Sequence, residues 1–254
     1  MYLNKSEENF PRHAKHDDDE EEDEPSPPRN FTMKQLREFN GTADKNGNEK
    51  GVYLSLNGIV FDVNKGREFY GPGGPYESFA GRECGVALAK MSFDEGFLDD
   101  IAGCENLSFG EKDELDNWMQ KFEHYRSYPI VGRLVPDSAL PDPNQVLTKD
   151  DIAKNDGKGP VPTGYAAAPI YIGVLDKVFD VSFGGVTFYG PDCAYESFAG
   201  KDASRALAKM SFDPQDITNT STDDLTEKEI KVLKDWATTF GEKKEYPVVG
   251  ILKK

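Results

Sequence analysis

The chain has 254 residues and a formal net charge of −16, with 30 Lys and Arg against 46 Asp and Glu. Nucleic acids are bound through clustered cationic side chains, so this charge argues against a nucleic-acid partner. Three cysteines without a Cys-x-x-Cys pair argue against a disulfide framework or a zinc site. No apolar run approaches the roughly 20 residues that span a bilayer. We therefore expect a cytoplasmic protein without a transmembrane segment in this chain.

The first 30 residues are acidic, with ten Asp and Glu against four Lys and Arg, and the block 17–24 is entirely acidic. Such a composition cannot bury enough apolar surface to offset the entropy that is lost on ordering. The sequence therefore predicts a disordered acidic tail over residues 1–30. A solvated leader is the favoured interpretation, and a docking or regulatory segment is the alternative.

An internal repeat organises the rest of the chain. Residues 206–213 are identical to residues 87–94, and a glycine- and proline-containing loop at 69–81 recurs at 188–200. Repetition at this period indicates two copies of one module. The predicted domains are residues 31–135 and 147–254, joined by a proline-stiffened linker over 136–146.

Local signals place the elements of the first copy. Thr32 precedes a short apolar-periodic stretch with Gln35 three residues on, which predicts a capping box and a helix. The Asn57-Gly58 pair between two β-rich runs predicts a tight hairpin of the primed type. A second capping box begins at Ser108, and the apolar residues that follow it recur at helical spacing.

The first copy is predicted to close in a strand over 128–134, where Pro129 suits an edge strand or a first strand position. The second copy repeats the same order of signals, with a capping box at Thr226 and a closing strand from Tyr246. Short strands mixed with short helices, without steady alternation, indicate an α+β fold.

A pair of tyrosines flanks each repeated loop: Tyr70 and Tyr76 in the first copy, Tyr189 and Tyr195 in the second. An arbitrary pair of tyrosines usually packs in a core with its hydroxyls bonded. Here both tyrosines persist in the second copy while the three residues before the second tyrosine change. We therefore favour a binding role in which the hydroxyls of each pair converge on one pocket.

These loops, the Asn57-Gly58 hairpin, the Phe79-Ala80-Gly81-Arg82 exit and Val131-Gly132 together resemble the membrane-associated progesterone receptor family, a branch of the cytochrome b5-like heme/steroid-binding fold. The resemblance covers both copies and implies an α+β chain of two tandem cytochrome b5-like heme/steroid-binding domains. It also implies a non-enzymatic protein that binds heme or a steroid-like small molecule. Other implied partners are endomembrane enzymes, an endomembrane surface for peripheral attachment, and a second copy of the chain held through heme.

The resemblance also assigns roles to individual residues. Cytochrome b5 proper holds iron between two histidines, one of them in a His-Pro-Gly-Gly loop that this chain lacks. In the progesterone receptor branch the second loop tyrosine binds iron, the first lies beside it, and a C-terminal Lys-Tyr pair supports the pocket. The implied iron ligands are Tyr76 and Tyr195. The implied heme-pocket residues are Tyr70, Tyr76, Tyr128, Tyr189, Tyr195 and Tyr246.

The lysine of that pair is replaced by Ser127 in the first copy and by Glu245 in the second. Forming a phenolate from a tyrosine of pKa near 10 costs roughly 4 kcal/mol at pH 7 unless iron or a donor offsets it. Ser127 can donate a hydrogen bond, whereas an ionised Glu245 only accepts, although the adjacent Lys244 can compensate. We therefore predict that the first copy binds heme better than the second.

Two other sets of residues could in principle supply chemistry near this site. A thiolate of Cys193, two residues before Tyr195, could replace the phenolate, but an idle thiol is the favoured interpretation. The acidic pairs Asp99-Asp100 and Asp223-Asp224 suit helix starts rather than acid–base catalysis. The leading function is a heme- or steroid-binding adaptor or carrier. The alternatives are a cytochrome b5-like electron-transfer protein and a heme-free interaction scaffold.

Overall fold

The computed structural model describes residues 26–43 and 47–253. Most of the predicted acidic tail, residues 1–25, lies outside the described residues. The first strand already begins at Arg29, so the end of the predicted tail pairs in a sheet. Two compact units divide the chain: Pro28–Leu140 with Val161–Ala167 forms one, and Pro141–Pro160 with Ala168–Lys254 belongs to the other.

The first unit contains a four-stranded mixed sheet in the order β1-β4-β3-β2. β1 pairs parallel with β4, and the other two pairings are antiparallel. The strands are β1 (Arg29–Phe31), β2 (Tyr53–Leu56), β3 (Ile59–Asp62) and β4 (Ile130–Leu134). The α-helices are α1 (Met33–Arg37), α2 (Arg67–Tyr70), α3 (Gly85–Ala89) and α4 (Phe109–Gln120).

The local signals of the first copy are confirmed. Thr32 and Gln35 form the reciprocal capping box of α1, and Ser108 forms a second with Glu111 at the start of α4. Asn57 and Gly58 turn the β2–β3 hairpin with φ values of 49° and 76°, as a primed turn requires. Each of these signals depends on contacts between residues a few positions apart, so the local sequence is enough to predict the structure.

The position of Pro129 settles the two alternatives for the closing strand. β4 has β1 on one side and β3 on the other, so the prediction of an edge strand is wrong. Pro129 stands just before β4, where its missing N–H interrupts no ladder and its carbonyl accepts from the Asp62 N–H at 2.9 Å.

Helices α3 and α4 cover one face of this sheet and bury the main core of the unit. The helical stripe after Ser108 faces that core, with Leu115 and Phe122 buried and Trp118 and Met119 half-buried against it. α4 runs directly into a π-helical turn, Lys121–Tyr125, which carries Phe122 inward. A smaller cluster on the other face contains Phe31, Leu36, Val60 and Leu134.

The second unit repeats the arrangement with one more strand, in the order β5-β9-β7-β6-β8. Its strands are β5 (Val146–Leu147), β6 (Tyr171–Val174), β7 (Lys177–Asp180), β8 (Lys201–Asp202) and β9 (Val248–Leu252). Its α-helices are α5 (Lys149–Ala153), α6 (Val186–Tyr189), α7 (Ser204–Lys209), α8 (Pro214–Thr218) and α9 (Glu227–Thr238). A second π-helical turn, Thr239–Lys243, follows α9.

Helices and strands therefore mix without regular alternation in both units, and the predicted α+β class is confirmed. Each unit buries its own apolar core. Within the described ranges, no helix is both long and apolar enough to cross a bilayer.

Candidate functional site

The loop between α2 and a following 3-10 turn fixes the first tyrosine pair. The Tyr76 N–H donates to the carbonyl of Phe69 at 2.9 Å, which closes the loop on the last turn of α2. Gly74 is required inside it, because a Cβ there would lie 2.5 Å from the same Phe69 oxygen. As a result the rings of Tyr70 and Tyr76 stand side by side, with centroids 5.8 Å apart.

The C-terminal tyrosine of the first copy joins this pair. Tyr128 follows the π-helical turn, and its N–H donates to the carbonyl of Phe122 at 2.9 Å. Its ring centroid lies 6.4 Å from that of Tyr70, edge to face. Its hydroxyl fills the space beside Gly66 that a side chain would otherwise take. All three predicted tyrosines of the first copy are thus brought together around Tyr70.

The outer side of this cluster is an exposed aromatic surface. Tyr76 is half-buried and stacks on Phe93 at 5.6 Å, and Phe93 also stacks on the buried Phe79 at 5.4 Å. Phe93 is 58% exposed and the nearby Met91 is 79% exposed. Both lie in the segment that is identical in the two copies. The sequence gives no role to Phe93 or Met91 by motif. Their identity in the two copies is the one signal in the sequence that could have pointed to them.

Burial separates the tyrosines of the first copy by their chemistry. Tyr70 is buried, and desolvation together with the neighbouring Tyr128 and Tyr76 raises the pKa of its phenol well above the ordinary value. Burial raises the pKa of Tyr128 as well. Both phenols therefore stay neutral at physiological pH and serve as hydrogen-bond donors or packing groups. Tyr76 is the member of the cluster with substantial solvent access.

The second copy brings its three tyrosines together in the same way. The Tyr195 N–H donates to Phe188 at 2.9 Å, and the Tyr189 and Tyr195 ring centroids lie 5.7 Å apart. A Cβ at Gly185 would stand 2.9 Å from the hydroxyl of Tyr246. Burial raises the pKa of Tyr189 strongly, with Tyr246 and Tyr195 adding to the effect, and burial also raises that of Tyr195.

The two clusters differ in how open they are. Phe212, the counterpart of Phe93, is half-buried and stacks on Phe198 at 5.3 Å. Met210 is 38% exposed, about half the value for Met91. The first copy therefore presents the larger apolar surface beside its half-buried tyrosine.

The residues before the C-terminal tyrosines differ in chemistry but share a backbone conformation. Ser127 and Glu245 both take left-handed φ values, 50° and 52°. Ser127 is exposed and its hydroxyl reaches the His124 carbonyl at 3.5 Å, whereas Glu245 is half-buried. The carboxylate of the second copy therefore sits closer to the protein interior than the hydroxyl of the first.

Cys193 is held as a thiol. Its Sγ donates to the carbonyl of Val186 at 3.5 Å, and partial burial together with the carboxylates of Asp192 and Glu196 raises its pKa. A thiolate iron ligand needs the opposite shift. This geometry agrees with the idle-thiol interpretation.

Asp99 and Asp224, two of the acidic residues predicted to favour helix starts, are instead ion-pair partners of arginines. Asp99 accepts from Arg37 and Arg82, each at 2.6 Å, and Asp224 accepts from Arg205. Asp100 does begin a helical turn, since its carboxylate accepts from the Gly103 N–H at 2.8 Å. In the described part of the chain, no group of three or more His, Cys, Asp and Glu residues could hold a metal ion.

Comparison with known proteins gives the following matches. The family model described as "Cytochrome b5-like Heme/Steroid binding domain" matches residues 32–135 and 148–252. "Probable steroid-binding protein 3" of Arabidopsis thaliana is 42% identical over 106 residues, which are 41% of this chain and 97% of that protein. "Cytochrome P450 regulator dap1" of Schizosaccharomyces pombe is 36% identical over 52% of this chain and 81% of its own length.

"Membrane-associated progesterone receptor component 2" of Homo sapiens is 33% identical over 48% of this chain, and the match spans about half of that protein, 52%. Among solved structures, a hypothetical Arabidopsis thaliana protein with a cytochrome b5 like fold is 37% identical over 49% of this chain and 98% of that one, with a TM-score of 0.37. The solution structure of a putative steroid-binding protein from Arabidopsis is 40% identical over 44% of this chain and 99% of that chain, with a TM-score of 0.36.

Proposed function

Because the chain belongs to the cytochrome b5-like heme/steroid-binding domain family, we propose that it is a heme- or steroid-binding adaptor or carrier with tyrosinate-type ligation, strongest in the first copy. The matches confirm the predicted resemblance to the membrane-associated progesterone receptor family, since a receptor component of that name and several steroid-binding proteins are among the relatives. Those relatives are named as binding proteins and regulators, which supports a binding role rather than catalysis.

One observation carries the proposal: a half-buried phenol, Tyr76, stands on an exposed aromatic surface while its neighbour Tyr70 is buried and neutral. An iron ligand must be reachable from outside the fold, and the flat ring around the iron needs apolar contacts. Tyr76 offers the oxygen, and Phe93 with Met91 offers the apolar surface. The residues present therefore fit heme, and they would also accept the apolar body of a steroid.

Tyr76 would hold the iron in the first copy and Tyr195 in the second. The bound heme supplies a ferric centre that phenolate ligation favours. The chain's own contribution is to keep Tyr70 and Tyr128 protonated beside it through burial, so that a single oxygen carries the negative charge. Tyr70 and Tyr189 would line the pocket beside the ligand tyrosines, and Tyr128 and Tyr246 would support it.

The asymmetry between the copies rests on two differences. The apolar surface of the first copy is more exposed, since Phe93 and Met91 are exposed to 58% and 79% whereas Phe212 is half-buried and Met210 is 38% exposed. Ser127 offers a hydroxyl that can donate a hydrogen bond, whereas the half-buried carboxylate of Glu245 only accepts when it is ionised. Both differences favour the first copy.

Partner proteins follow from the names of the relatives. One relative is named a cytochrome P450 regulator and another is named membrane-associated. We include in the proposal a peripheral association with endomembrane enzymes from the cytoplasmic side. The open aromatic surface of the first copy is also suited to self-association through a bound heme.

The test is hemin titration of the full chain, followed by Soret absorbance, for the wild type, Tyr76→Phe, Tyr195→Phe and the double variant. We expect Tyr76→Phe to remove the larger part of the signal and the double variant to remove nearly all of it. Tyr125→Phe is the matched control, since Tyr125 is 80% exposed and lies outside the cluster. Equal losses in the two single variants would contradict the asymmetry, and no Soret band in the wild type would favour the heme-free scaffold.

A further inference from the structure

Arg126 places a cation at the edge of the first tyrosine cluster. Arg126 directly follows the π-helical turn, and its N–H donates to the Lys121 carbonyl at 2.8 Å, which fixes its backbone. The guanidinium carbon lies 5.3 Å from the ring centroid of Phe69, the residue whose carbonyl closes the tyrosine loop. Arg126 is exposed, so its N–H groups remain open to a ligand.

The charge of Arg126 has no carboxylate partner within the described ranges of the chain. Three other arginines of the same unit do have one: Arg37 and Arg82 share Asp99, and Arg67 pairs with Glu49. In a chain with 46 acidic against 30 basic residues, Arg126 keeps its charge exposed beside a candidate pocket. Its positive charge is therefore not neutralised by a carboxylate of the described residues.

The positive charge acts on the tyrosine cluster. The Arg126 guanidinium opposes the effect of burial on the pKa of both Tyr70 and Tyr128, although burial prevails. The cation therefore lies within electrostatic range of the two buried phenols and over the ring of Phe69. An anion held by Arg126 would stand beside the tyrosine cluster.

The second copy keeps the same placement. Lys244 precedes Tyr246 by two residues, as Arg126 precedes Tyr128, and its Nζ lies 5.6 Å from the ring centroid of Phe188. The residue between the cation and the tyrosine differs between the copies, since it is Ser127 in the first and Glu245 in the second. The cation over the loop phenylalanine is thus the feature that duplication retained.

We propose that Arg126 binds a carboxylate of the ligand, so that this site takes a flat apolar ring system with an acidic edge in preference to a neutral steroid. This inference rests on the proposed function, because it assigns the ligand class of the same site. The aromatic face of Phe69 supports the guanidinium plane from one side. The N–H groups at its edge are then free for a two-pronged contact with a carboxylate.

The test uses iron-free protoporphyrin IX, which carries two carboxylates, and its dimethyl ester, which carries none. Binding to the full chain is followed by porphyrin fluorescence, so the readout does not depend on iron ligation. We expect the wild type to prefer the diacid and to lose that preference as salt is raised. Arg126→Gln should weaken diacid binding about threefold to tenfold and leave ester binding unchanged.

Two controls sharpen the test. Arg126→Lys keeps the charge and should retain most of the preference for the diacid. Lys121→Gln removes a neighbouring cation that stands over a different ring, Trp118, at 4.2 Å, and should leave the preference unchanged. Thermal unfolding of each variant checks that the fold is intact, as expected for exposed side chains.

The outcomes separate the two proposals. Equal binding of diacid and ester by the wild type, or an equal effect of Arg126→Gln on both, would overturn the carboxylate contact and leave the binding function standing. Binding of neither porphyrin, with a neutral steroid bound instead, would overturn both the heme function and this inference. Lys244→Gln is the matching variant of the second copy. If it loses the preference for the diacid and Arg126→Gln does not, the carboxylate contact lies in the second copy and the proposal for Arg126 is overturned.

Discussion

The hydroxyl of Tyr128 occupies the space beside Gly66 where any side chain would otherwise begin. The same relationship recurs between Tyr246 and Gly185, with 2.9 Å between the hydroxyl and the position of a Cβ. Neither glycine takes a positive φ, so close packing and not backbone conformation requires glycine: against Tyr128 at Gly66, and against the Val181 carbonyl, Tyr189 and Tyr246 at Gly185. The glycine and the tyrosine therefore act as a unit that sets the inner wall of each cluster.

Gly66→Ala should displace the Tyr128 side chain, because the added methyl group overpacks the core. We expect the first unit to lose about 1–3 kcal/mol of stability and to bind hemin more weakly. Urea unfolding and hemin titration measure the two effects. Gly110→Ala is the matched control, because a Cβ on that exposed residue of α4 meets nothing within 4 Å. Unchanged hemin binding in Gly66→Ala would show that Tyr128 has no part in the pocket.

Phe93→Ala should lower hemin affinity while leaving stability almost unchanged, because the side chain is 58% exposed. Phe79→Ala, directly beneath it and buried, should instead cost about 3–5 kcal/mol of stability. Comparing the two variants by hemin titration and by urea unfolding separates a ligand contact from a core contact. The idea fails if Phe93→Ala loses stability without losing affinity.

Asp180 should make the stability of the second unit depend on pH. It is buried, and desolvation raises its pKa from 3.8 to about 6, against hydrogen bonds from Ser182 and the Ile170 N–H. The folded state therefore holds the proton more tightly than the unfolded state. The resulting stability is fully present below pH 3.8 and is lost as pH rises through about 6, by up to about 3 kcal/mol.

Asp180→Asn keeps the shape and the accepting oxygen but cannot ionise. The stability of this variant relative to the wild type should therefore rise between pH 4 and pH 7, as measured by urea unfolding at each pH. Ser182→Ala removes a hydroxyl that donates to the carboxylate at 2.6 Å and should enlarge the loss in the wild-type background. A difference between Asp180→Asn and wild type that stays constant with pH would refute the assignment.

Cys193→Ser should leave the Soret maximum and the hemin affinity of the chain unchanged. The thiol donates to a backbone carbonyl and its pKa is raised, so it does not supply a thiolate. Absorbance spectra of the variant and the wild type, each carrying Tyr76→Phe to isolate the second copy, make the comparison. A shifted Soret band on replacing the cysteine would identify sulfur ligation.

Sequence reasoning succeeded where the determining contacts are local. The capping boxes at Thr32 and Ser108 and the Asn57-Gly58 turn each depend on residues a few positions apart. The edge-strand alternative for Pro129 was wrong because the strand that covers β4 begins at Arg29, about one hundred residues earlier in the chain.

The same limit applies to the site. Duplication singled out the tyrosines, and the structure brings each set of three together. The stacking of Phe93 on Tyr76 and the placement of Arg126 over Phe69 join residues far apart in the sequence. Neither pairing has a periodicity or a local motif that would reveal it. The roles of these residues toward heme stay predictions.

The separate cores of the two units have a calorimetric consequence. A chain whose halves each bury their own apolar cluster need not melt in one cooperative transition, so a single midpoint would average two events. A ligand that binds one copy raises the melting temperature of the copy that holds it. The thermogram of the hemin-loaded chain would then show, from which peak moves, which of the two copies carries the ligand.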